Sequence, residues 1–504
     1  MNAPVVETTG GRVEGVSLGG AHAFLGVPYG ASPAGANRFK PSVPVAPWGG
    51  VRAAAEPGPL ALQSRTGPGT RPDNPAPMDE DCLSLNVWTA SLTGAKPVLV
   101  WFHGGGFSAG QAITPYSHGA ALASRGDVVV VSVTHRLALL GFLNLEELGG
   151  DDYAGSGNAS LLDLQLALEW VRDNISRFGG DPNAVTIHGH SGGGGKVAAL
   201  ASMPGARGLF RAAVVHGGPP FGFKDHSTAT RTAEEALSLL GVRADRLDAL
   251  QDIPVGHLMH VQEQLAGTGG PGPNGMRFAP AVGTPVLPAD PYQAFAAGAA
   301  KDISFMTGTA RDEARAAIHA FPHYLDDPDL SVSQLVDRLR PGLDHQDDAE
   351  VLVERYRDVD PQASNTQIFF NVLSDQFTIR TRRLAQMKRL GDGQDSWVYL
   401  CSVNQGTSYG AYHGVEMPLF FNNATPTTPG AAAASELSAE LVRFASGDMA
   451  ASDAWHPSGG DISRIYEIDD TGGRTVPDPL ANRLSVWDGI IVTPRTDPWT
   501  TLWL

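Results

Sequence analysis

The stretch "AVTIHGHSGGGGKVAALASM" (residues 184–203) places a strand pattern, a glycine-rich turn and a helix pattern in direct succession. Its apolar beginning is typical of a strand that is covered on both faces. Gly189-His190-Ser191-Gly192-Gly193 matches G-x-S-x-G, in which a sharp turn presents a serine hydroxyl between a strand and a helix. Glycines beside the serine permit the strained turn and a close approach of strand and helix. The order predicts a nucleophile elbow with Ser191 at its tip.

Two other functions of this stretch fit its residues less well. A phosphate loop, G-x-x-x-x-G-K-[ST], would end at Lys196 and would need glycine at position 190 and Ser or Thr at position 197. The sequence has His190 and Val197 instead. His188 and His190 lie on one face of the strand and could chelate a metal, but no third-ligand pattern such as H-E-x-x-H accompanies them. We therefore predict no bound phosphate, metal or cofactor.

The pattern G-x-S-x-G also occurs around Ser17, Ser108 and Ser408. Ser17 lies between two short strand patterns in a hairpin, and Ser108 follows the end of its strand by several residues. Ser408 follows a strand pattern, but no helix pattern comes directly after it. Since the elbow requires a strand, a turn and a helix in immediate order, only Ser191 has the full context.

Composition limits the class of protein and its partners. Of the 504 residues, 42% are hydrophobic, which is enough for a large core, and the net charge is −17. An acidic surface makes nucleic acid and anionic membranes poor partners. No apolar run reaches the roughly 18 residues that would span a bilayer. The beginning of the chain shows no signal-peptide pattern, and two cysteines cannot form a disulfide framework. We expect a cytoplasmic protein that acts on a small molecule.

Strand and helix patterns alternate along most of the chain. Buried strand patterns such as "KPVLVWF" (residues 96–102) and "DVVVVSV" (127–133) are separated by helix patterns such as "LLDLQLALEWVRDNISRF" (161–178). This alternation predicts a large, mostly parallel central sheet with helices on both faces, the α/β class. We find no repeat and no linker, so we predict a single domain over residues 1–504. A helical insertion over the active site is expected at about 220–390.

A serine nucleophile needs donors for an oxyanion and a base for its proton. The loop His103-Gly104-Gly105-Gly106-Phe107 ends a buried strand and is of the H-G-G-G type, which cooperates with the N–H after the nucleophile, here that of Gly192. In this fold the acid and then the histidine follow the serine along the chain. "ISFMTGTARDEA" (303–314) offers Asp312 or Glu313 as the acid, and the spacing does not choose between them. His413 is favoured over His456 as the base.

The chain resembles the type-B carboxylesterases, the cholinesterase/carboxylesterase family of α/β-hydrolases. The resemblance rests on "FLGVPYG", "DEDCLSLNVW", "VLVWFHGGGFSAG", "THRLALLGFL", "GTARDEA" and "YHGVEMPLFF", in this order along most of the chain. It implies a catalytic triad, an oxyanion hole and two-step ester hydrolysis through an acyl-enzyme. The implied triad is Ser191, Glu313 and His413. The implied oxyanion donors are Gly105, Gly106 and Gly192.

The resemblance leaves other functions open. A carbamate or amide hydrolase would use the same triad, because the pocket selects the leaving group. A non-catalytic binding protein of the same fold is a third alternative, although all three triad residues are present. A histidine base must be neutral to accept a proton, so we expect activity to fall below roughly pH 6 to 7.

The chain departs from the family around the nucleophile. His190 stands where the family usually has glutamate, a residue that helps cholinesterases with cationic substrates, so we predict a small, uncharged ester as the substrate. Gly192 replaces the usual alanine and is expected to keep the N–H donor while adding flexibility and room. His216 stands in place of a serine. One hypothesis is a polar network of His190 and His216 behind the triad, and the alternative is ordinary packing.

The family's first disulfide is also missing. Cys82 occupies one of its positions, but Ala61 stands where the partner is expected. The resemblance therefore implies that residues 62–81 are not held by a disulfide, and we predict a mobile flap over the mouth of the active site. The missing disulfide also favours a reducing compartment.

Overall fold

The computed structural model describes residues 3–65, 76–268, 276–320 and 329–490. Within these ranges the principal element is an 11-stranded sheet. Its strands in chain order are β1 (Val16–Ser17), β2 (His22–Pro28), β3 (Ser84–Thr89), β4 (Lys96–Phe102), β5 (Val129–Val133), β6 (Gly180–His190), β7 (Ala212–His216), β8 (Ser304–Ala310), β9 (Trp397–Cys401), β10 (Arg464–Asp469) and β11 (Gly472–Pro477).

The strands lie side by side in the order β11-β10-β9-β8-β7-β6-β4-β5-β3-β2-β1. Every neighbouring pair from β10 through to β5 is parallel. The remaining pairs, at the two sides of the sheet, are antiparallel. The predicted mostly parallel sheet is therefore confirmed. Because the parallel strands end at one edge, the loops after β4, β6, β8 and β9 meet there.

Helices connect most of the parallel strands. The α-helices in the described ranges are α1 (Ala120–Gly126), α2 (Ala138–Phe142), α3 (Glu146–Gly149), α4 (Ala159–Asn174), α5 (Gly192–Ser202), α6 (His226–Leu240), α7 (Val255–Thr268), α8 (Pro291–Ala296), α9 (Ala316–Ala320), α10 (Val332–Leu339), α11 (Asp348–Val359), α12 (Asn365–Asp392), α13 (Met417–Phe420), α14 (Ala434–Ser446) and α15 (Ala481–Leu484). None of them is long and apolar enough to cross a membrane.

Both faces of the sheet are buried. Along β4, Val98, Val100 and Phe102 enter one apolar core together with α4 and α5. The alternate residues Leu99 and Trp101 enter a second core together with α1 and α14. Since side chains alternate across a strand, a strand covered on both sides needs apolar residues at every position. This explains the continuous apolar run of β4 in the sequence.

Short strands lie outside the main sheet. Val5–Glu7, Arg12–Glu14 and Val51–Ala53 form a three-stranded sheet near the beginning of the chain, and Lys224–Asp225 pairs with Ala281–Val282. Leu60–Ala61 pairs with Met78–Asp79, so the two ends of the predicted flap are joined by strand hydrogen bonds. Its residues 66–75 lie outside the described ranges, and the mobility of the flap stays a prediction. Cys82 and Cys401 are free thiols, both buried.

The segment at about 220–390 carries helices α6 to α12, but it also contributes β8 to the middle of the sheet. The helices after β8 form a third apolar core of their own, which includes Leu335, Leu352 and Phe369. The insertion is therefore interrupted by strand β8, which ends three residues before Glu313. The organisation of residues 1–504 as one domain stays a prediction.

Candidate active site

The elbow is built where β6 ends at His190 and α5 begins at Gly192. Ser191, between them, has φ 58° and ψ −128°. A positive φ is strained for a residue with a side chain and persists only where the surrounding structure holds it. The backbone N–H of Ser191 donates to the carbonyl oxygen of His216 over 2.9 Å, which ties the turn to the neighbouring strand β7.

Glycines permit the close packing of this turn. A Cβ on Gly189 would lie 2.5 Å from the carbonyl carbon of Gly193, and one on Gly193 would overlap the carbonyl oxygen of Phe102. A Cβ on Gly218, after β7, would overlap the carbonyl oxygen of Ser191. Strand, turn, helix and neighbouring loop therefore touch through their backbones, as the G-x-S-x-G pattern predicts.

The other three serines in the same pattern lie elsewhere. Ser17 is the exposed last residue of β1, and its hydroxyl lies 3.2 Å from Nδ1 of His22. Ser108 is exposed in the loop after β4, and Ser408 is exposed in the loop after β9. In the described structure none of the three directly follows the last residue of a strand and directly precedes the first residue of a helix, as Ser191 does.

The acid and the base meet at the carboxyl edge of the sheet. Glu313 begins a 3₁₀ turn just after β8 and is fully buried. One of its oxygens, Oε1, accepts the backbone N–H of Ala310 over 2.9 Å, and Oε2 contacts Nδ1 of His413. When Glu313 is ionised, its carboxylate can only accept, so Nδ1 of His413 then carries the proton in this contact. The Nε2 atom of a neutral His413 is then an acceptor.

Asp312, the alternative acid, and His456, the alternative base, make other contacts. Asp312 lies next to Glu313 in the chain, but its Oδ2 accepts the backbone N–H of Ala411 over 3.1 Å. Asp312 also forms an ion pair with Arg315. His456 is exposed, and its backbone N–H donates to Thr475. The structure therefore brings Glu313, rather than Asp312, to His413.

Burial controls the charge of both groups. Burial lowers the pKa of His413 to about 3 and so keeps the imidazole neutral over the physiological range. Burial also raises the pKa of Glu313 well above its usual value, with a further contribution from the charge of Asp312. The hydrogen bond from Ala310 acts in the opposite direction, since a donor stabilises the carboxylate.

The glycine loop, residues 103–107, follows β4 and lies directly against the elbow. Gly105 and Gly106 have φ 95° and 62°, which a residue with a side chain rarely adopts. A Cβ on Gly104 would lie 2.9 Å from the carbonyl oxygen of His190. A Cβ on Gly192 would overlap the carbonyl oxygen of Gly106. The expectation that Gly192 adds room is therefore wrong, because the glycine loop occupies the space that an alanine methyl would need.

Histidine side chains surround the elbow. The ring of His190 lies 4.2 Å from that of His413, centroid to centroid. His188 is fully buried and packs between Trp101 and Phe421, at 5.0 and 5.4 Å. Nothing resembling a metal centre joins the two histidines of this strand: within the described ranges no three His, Cys, Asp or Glu side chains are grouped as metal ligands would be.

The polar partner of His216 is a tyrosine rather than His190. Nδ1 of His216 lies 3.0 Å from the hydroxyl of Tyr399, and this hydroxyl donates to Oε1 of Glu416 over 3.3 Å. All three side chains are buried, and Glu416 follows His413 by three residues. Burial, and then the charge of Glu313, raise the pKa of Glu416 to about 8, so its carboxyl group is protonated near neutrality.

Three side chains at this site were not predicted from the sequence. Tyr399 carries no recognisable pattern of its own. Glu416 is the glutamate of the His-Gly-x-Glu-x-Pro pattern that begins at His413, but only His413 was given a role. Lys196 was considered only as a phosphate-loop residue, yet it is fully buried in α5. A single lysine among the glycine, alanine, valine and leucine residues of "GGGGKVAALAS" was the available signal.

A parallel sheet with a serine elbow, a glycine loop and a carboxylate–histidine pair at its carboxyl edge defines an α/β-hydrolase fold. The structure superposes on a carboxylesterase of Geobacillus stearothermophilus with a TM-score of 0.82 and 30% identity, covering 96% of this chain and 99% of that one. The model of the "Carboxylesterase family" matches residues 2–468. The chain belongs to this family and is an ester-hydrolysing enzyme.

Two curated relatives align with most of the chain. A para-nitrobenzyl esterase of Bacillus subtilis is 32% identical over 426 residues, which are 84% of this chain and 84% of the relative. A phenmedipham hydrolase of Pseudarthrobacter oxydans is 33% identical over 441 residues, which are 84% of this chain and 83% of the relative.

Proposed function

We propose that the chain hydrolyses carboxylic esters through an acyl-enzyme formed on Ser191, with His413 as the base and Glu313 as the acid of the triad. The observation that carries this proposal is the contact between Glu313 and Nδ1 of His413. It leaves Nε2 of His413 as the proton acceptor on the side of the imidazole that faces away from Glu313. Gly105, Gly106 and Gly192 are the proposed donors to the oxyanion.

In the first step, the hydroxyl oxygen of Ser191 attacks the ester carbonyl carbon while Nε2 of His413 takes its proton. The carbonyl oxygen becomes an oxyanion and accepts N–H bonds from the three proposed donors. The imidazolium that forms is stabilised by the carboxylate of Glu313. It then gives its proton to the leaving alkoxide, so that the alcohol departs and the acyl-enzyme remains.

In the second step, water takes the place of the alcohol. His413 removes a proton from the water as the oxygen attacks the acyl carbon, and a second oxyanion forms in the same place. Collapse of this intermediate returns the proton to Ser191 and releases the carboxylic acid. The same three side chains and three backbone N–H groups act in both steps, and neither step calls for a cofactor or metal.

The proposed substrate is a small, uncharged ester. The residue before the nucleophile, His190, is buried and burial lowers its pKa, so it presents a neutral ring and no carboxylate to a cationic substrate. The two free, buried cysteines are compatible with the reducing cytoplasm that we propose as the compartment.

Covalent labelling tests the nucleophile. A fluorophosphonate probe should label the wild-type enzyme once, and peptide mass spectrometry should find the probe on Ser191. S191A should lose the label and lower kcat for p-nitrophenyl acetate by at least about 10⁴-fold. S17A changes the exposed serine of another G-x-S-x-G match and should keep both label and rate. A fully active S191A would refute the proposal that Ser191 is the nucleophile.

Carbamate hydrolysis is the second candidate, favoured by the similarity to a relative named phenmedipham hydrolase. The triad does not select between the two bonds, because the attack and the oxyanion are the same in both. Values of kcat/KM for a phenyl acetate, the matched phenyl carbamate and the matched anilide would show which of the three bonds the enzyme prefers to hydrolyse. A carbamate value equal to or above the ester value would make the carbamate the preferred substrate class.

A further inference from the structure

The side chain of Lys196 forms a hydrogen bond between helix α5 and the glycine loop. It lies on α5, four residues after Gly192, and has no exposed surface. Its Nζ donates to the carbonyl oxygen of His103 over 3.3 Å and lies 5.8 Å from the ring centroid of Phe107. The ammonium group therefore contacts both ends of the glycine loop, whose middle carries Gly105 and Gly106.

No carboxylate forms an ion pair with Lys196 among the residues that the structure describes, and burial alone lowers its pKa to about 7. Lysine is rarely buried without a partner, because removing its charge from water is costly. An apolar side chain of similar length would pack in the same apolar helix without that cost. A stability role therefore gives no reason for a lysine at this position.

Two histidines, His103 at the start of the glycine loop and His135 after β5, lie close enough to Lys196 to be affected by its charge. The rings of His103 and His135 stack 4.5 Å apart, and both are buried. Burial, and then the charge of Lys196, lower the pKa of each, so both are neutral near pH 7. Nδ1 of His103 lies 2.9 Å from the carbonyl oxygen of Gly104, which can only accept, so Nδ1 carries the proton. Lys196 is thus the group of this cluster that can hold a positive charge near neutrality.

The glycine loop has little freedom to move relative to the elbow. A Cβ on Gly110 would overlap the imidazole of His103, and one on Gly193 would lie 2.9 Å from the carbonyl oxygen of His103. The carbonyl that accepts from Lys196 is therefore packed against the first turn of α5. A shift of this carbonyl moves the loop, because the peptide group is planar and the following glycines continue directly from it.

We propose that Lys196 is a positioning residue for the oxyanion hole: its ammonium group holds the His103 carbonyl, fixes the glycine loop and adds positive charge beside the site where the oxyanion forms. The proposal rests on the proposed function, since it requires the N–H groups of Gly105 and Gly106 to serve an oxyanion. Positive charge in a buried site acts over a longer range than in water, and it acts most when negative charge develops in the transition state.

The test compares K196M with K196R in the full-length enzyme, with kcat and KM for p-nitrophenyl acetate measured from pH 6 to pH 9. At pH 6 we expect K196M to lower kcat by about 10-fold to 100-fold, since small displacements of catalytic groups have effects of this size, with KM changed less than about threefold. The melting temperature should be unchanged or higher, because an unpaired buried charge has been removed.

The pH dependence separates this role from a structural one. As Lys196 loses its proton above pH 7, the ratio of wild-type to K196M kcat should fall toward one. K196R stays charged throughout, so the ratio of wild-type to K196R kcat should fall between pH 6 and pH 9. This comparison does not involve K196M, and it keeps the test decisive if K196M does not fold. A ratio that does not change between pH 6 and pH 9, or a K196M with wild-type kcat, would overturn the proposal.

A matched control is K388M. Lys388 is also buried, on α12, but it is paired with Asp392. Its replacement should lower the melting temperature and leave kcat and its pH profile unchanged. Fluorophosphonate labelling keeps the two proposals apart: a wild-type enzyme not labelled on Ser191 would refute the proposed function. Full labelling together with an unaltered K196M would refute only the role of Lys196.

Discussion

The imidazole rings of His190 and His413 lie 4.2 Å apart, with 40° between their planes. His190 directly precedes the nucleophile, and Gly414, after His413, has φ 84° and would bring a Cβ within 3.0 Å of the His190 ring. Burial, and then the charge of His413, lower the pKa of His190. When His413 takes up a proton during the reaction, it therefore faces a neutral ring, and not a second carboxylate, on the side of His190.

The burial of His413 should determine the pH at which kcat/KM falls on the acid side of the pH profile. His413 acts as a base only in its neutral form, so kcat/KM is retained above its pKa and lost as the pH falls through it. Burial lowers this pKa to about 3, whereas the sequence alone predicted a loss at pH 6 to 7. We expect the midpoint of the acid limb clearly below pH 6.5, measured with p-nitrophenyl acetate over times too short for acid unfolding. A midpoint at or above 6.5 would contradict the burial argument.

H190E should shift the midpoint of the acid limb to higher pH. A carboxylate within 4–6 Å of an imidazolium typically raises the histidine pKa by about 1 to 3 units. Glutamate at position 190 should therefore raise the midpoint of the acid limb by at least about one pH unit, since it favours the charged form of His413. H190Q is the neutral control and should leave the midpoint near the wild-type value. If H190E and H190Q share one profile, the two side chains do not interact electrostatically.

G192A, which introduces the residue expected from the family, should impair this enzyme. The new methyl group would overlap the carbonyl oxygen of Gly106, so the glycine loop must move and carry its N–H groups away from the oxyanion. We expect kcat to fall by about 10-fold or more while KM changes little, because the lost interaction belongs to the transition state.

G195A is the matched control for G192A on the same helix. A Cβ on Gly195 would lie 3.2 Å from the end of the Phe107 ring, a side chain that can yield slightly. Alanine also favours the helix over glycine by about 1 kcal/mol. G195A should keep the wild-type kcat, and equal activity of G192A and G195A would show that the glycine loop adapts without loss.

The sequence predicted the strands and the strand–turn–helix succession around Ser191 well because both depend on local signals. The strand predicted at residues 96–102 is β4 with the same bounds, since burial on both faces leaves an unbroken apolar run. Ser191 was separated from three rival serines by its neighbouring strand and helix. The choice between Asp312 and Glu313 was not local, because the turn after β8 decides which of two adjacent carboxylates points inward.

The close contact of Gly192 with Gly106 could not be predicted either. It joins two segments more than 80 residues apart in the chain, and their separation depends on how β4 and β6 pair. Lys196 shows the same limit: its sequence neighbours indicate burial, but only the fold shows that its ammonium group reaches His103.

H188F should make the protein more resistant to acid. Burial lowers the pKa of His188 to about 3, whereas a histidine in the unfolded chain has a pKa near 6.5. Between these values the unfolded chain binds more protons, so stability falls as the pH drops, by up to about 1.4 kcal/mol per pH unit. Phenylalanine fits between Trp101 and Phe421 and does not titrate.

Urea unfolding at pH 7 and pH 5 measures this effect. The unfolding free energy of H188F minus that of wild type should be about 2 kcal/mol larger at pH 5 than at pH 7. H456F changes an exposed histidine and should show no such gain. The same difference between H188F and wild type at both pH values would mean that His188 does not titrate on unfolding.

The Tyr399 hydroxyl should couple His216 to Glu416. Y399F removes a hydroxyl that lies 3.0 Å from Nδ1 of His216 and 3.3 Å from Oε1 of Glu416, and it leaves both atoms buried without this partner. We expect a loss of about 1–3 kcal/mol of unfolding free energy. H216S should also destabilise, because it removes a buried ring from the same cluster.

A double-mutant cycle of Y399F and H216S shows whether these residues form a network or merely pack. If the hydrogen bond matters, the second substitution removes a group whose partner is already gone, so the double variant loses less stability than the sum of the two singles. The coupling free energy should then be about 0.5–3 kcal/mol, as is typical of residues in one hydrogen-bond network. Because Glu416 follows His413 by three residues, Y399F should also lower kcat more than it raises KM. Stability losses that add within about 0.5 kcal/mol would favour ordinary packing of His216.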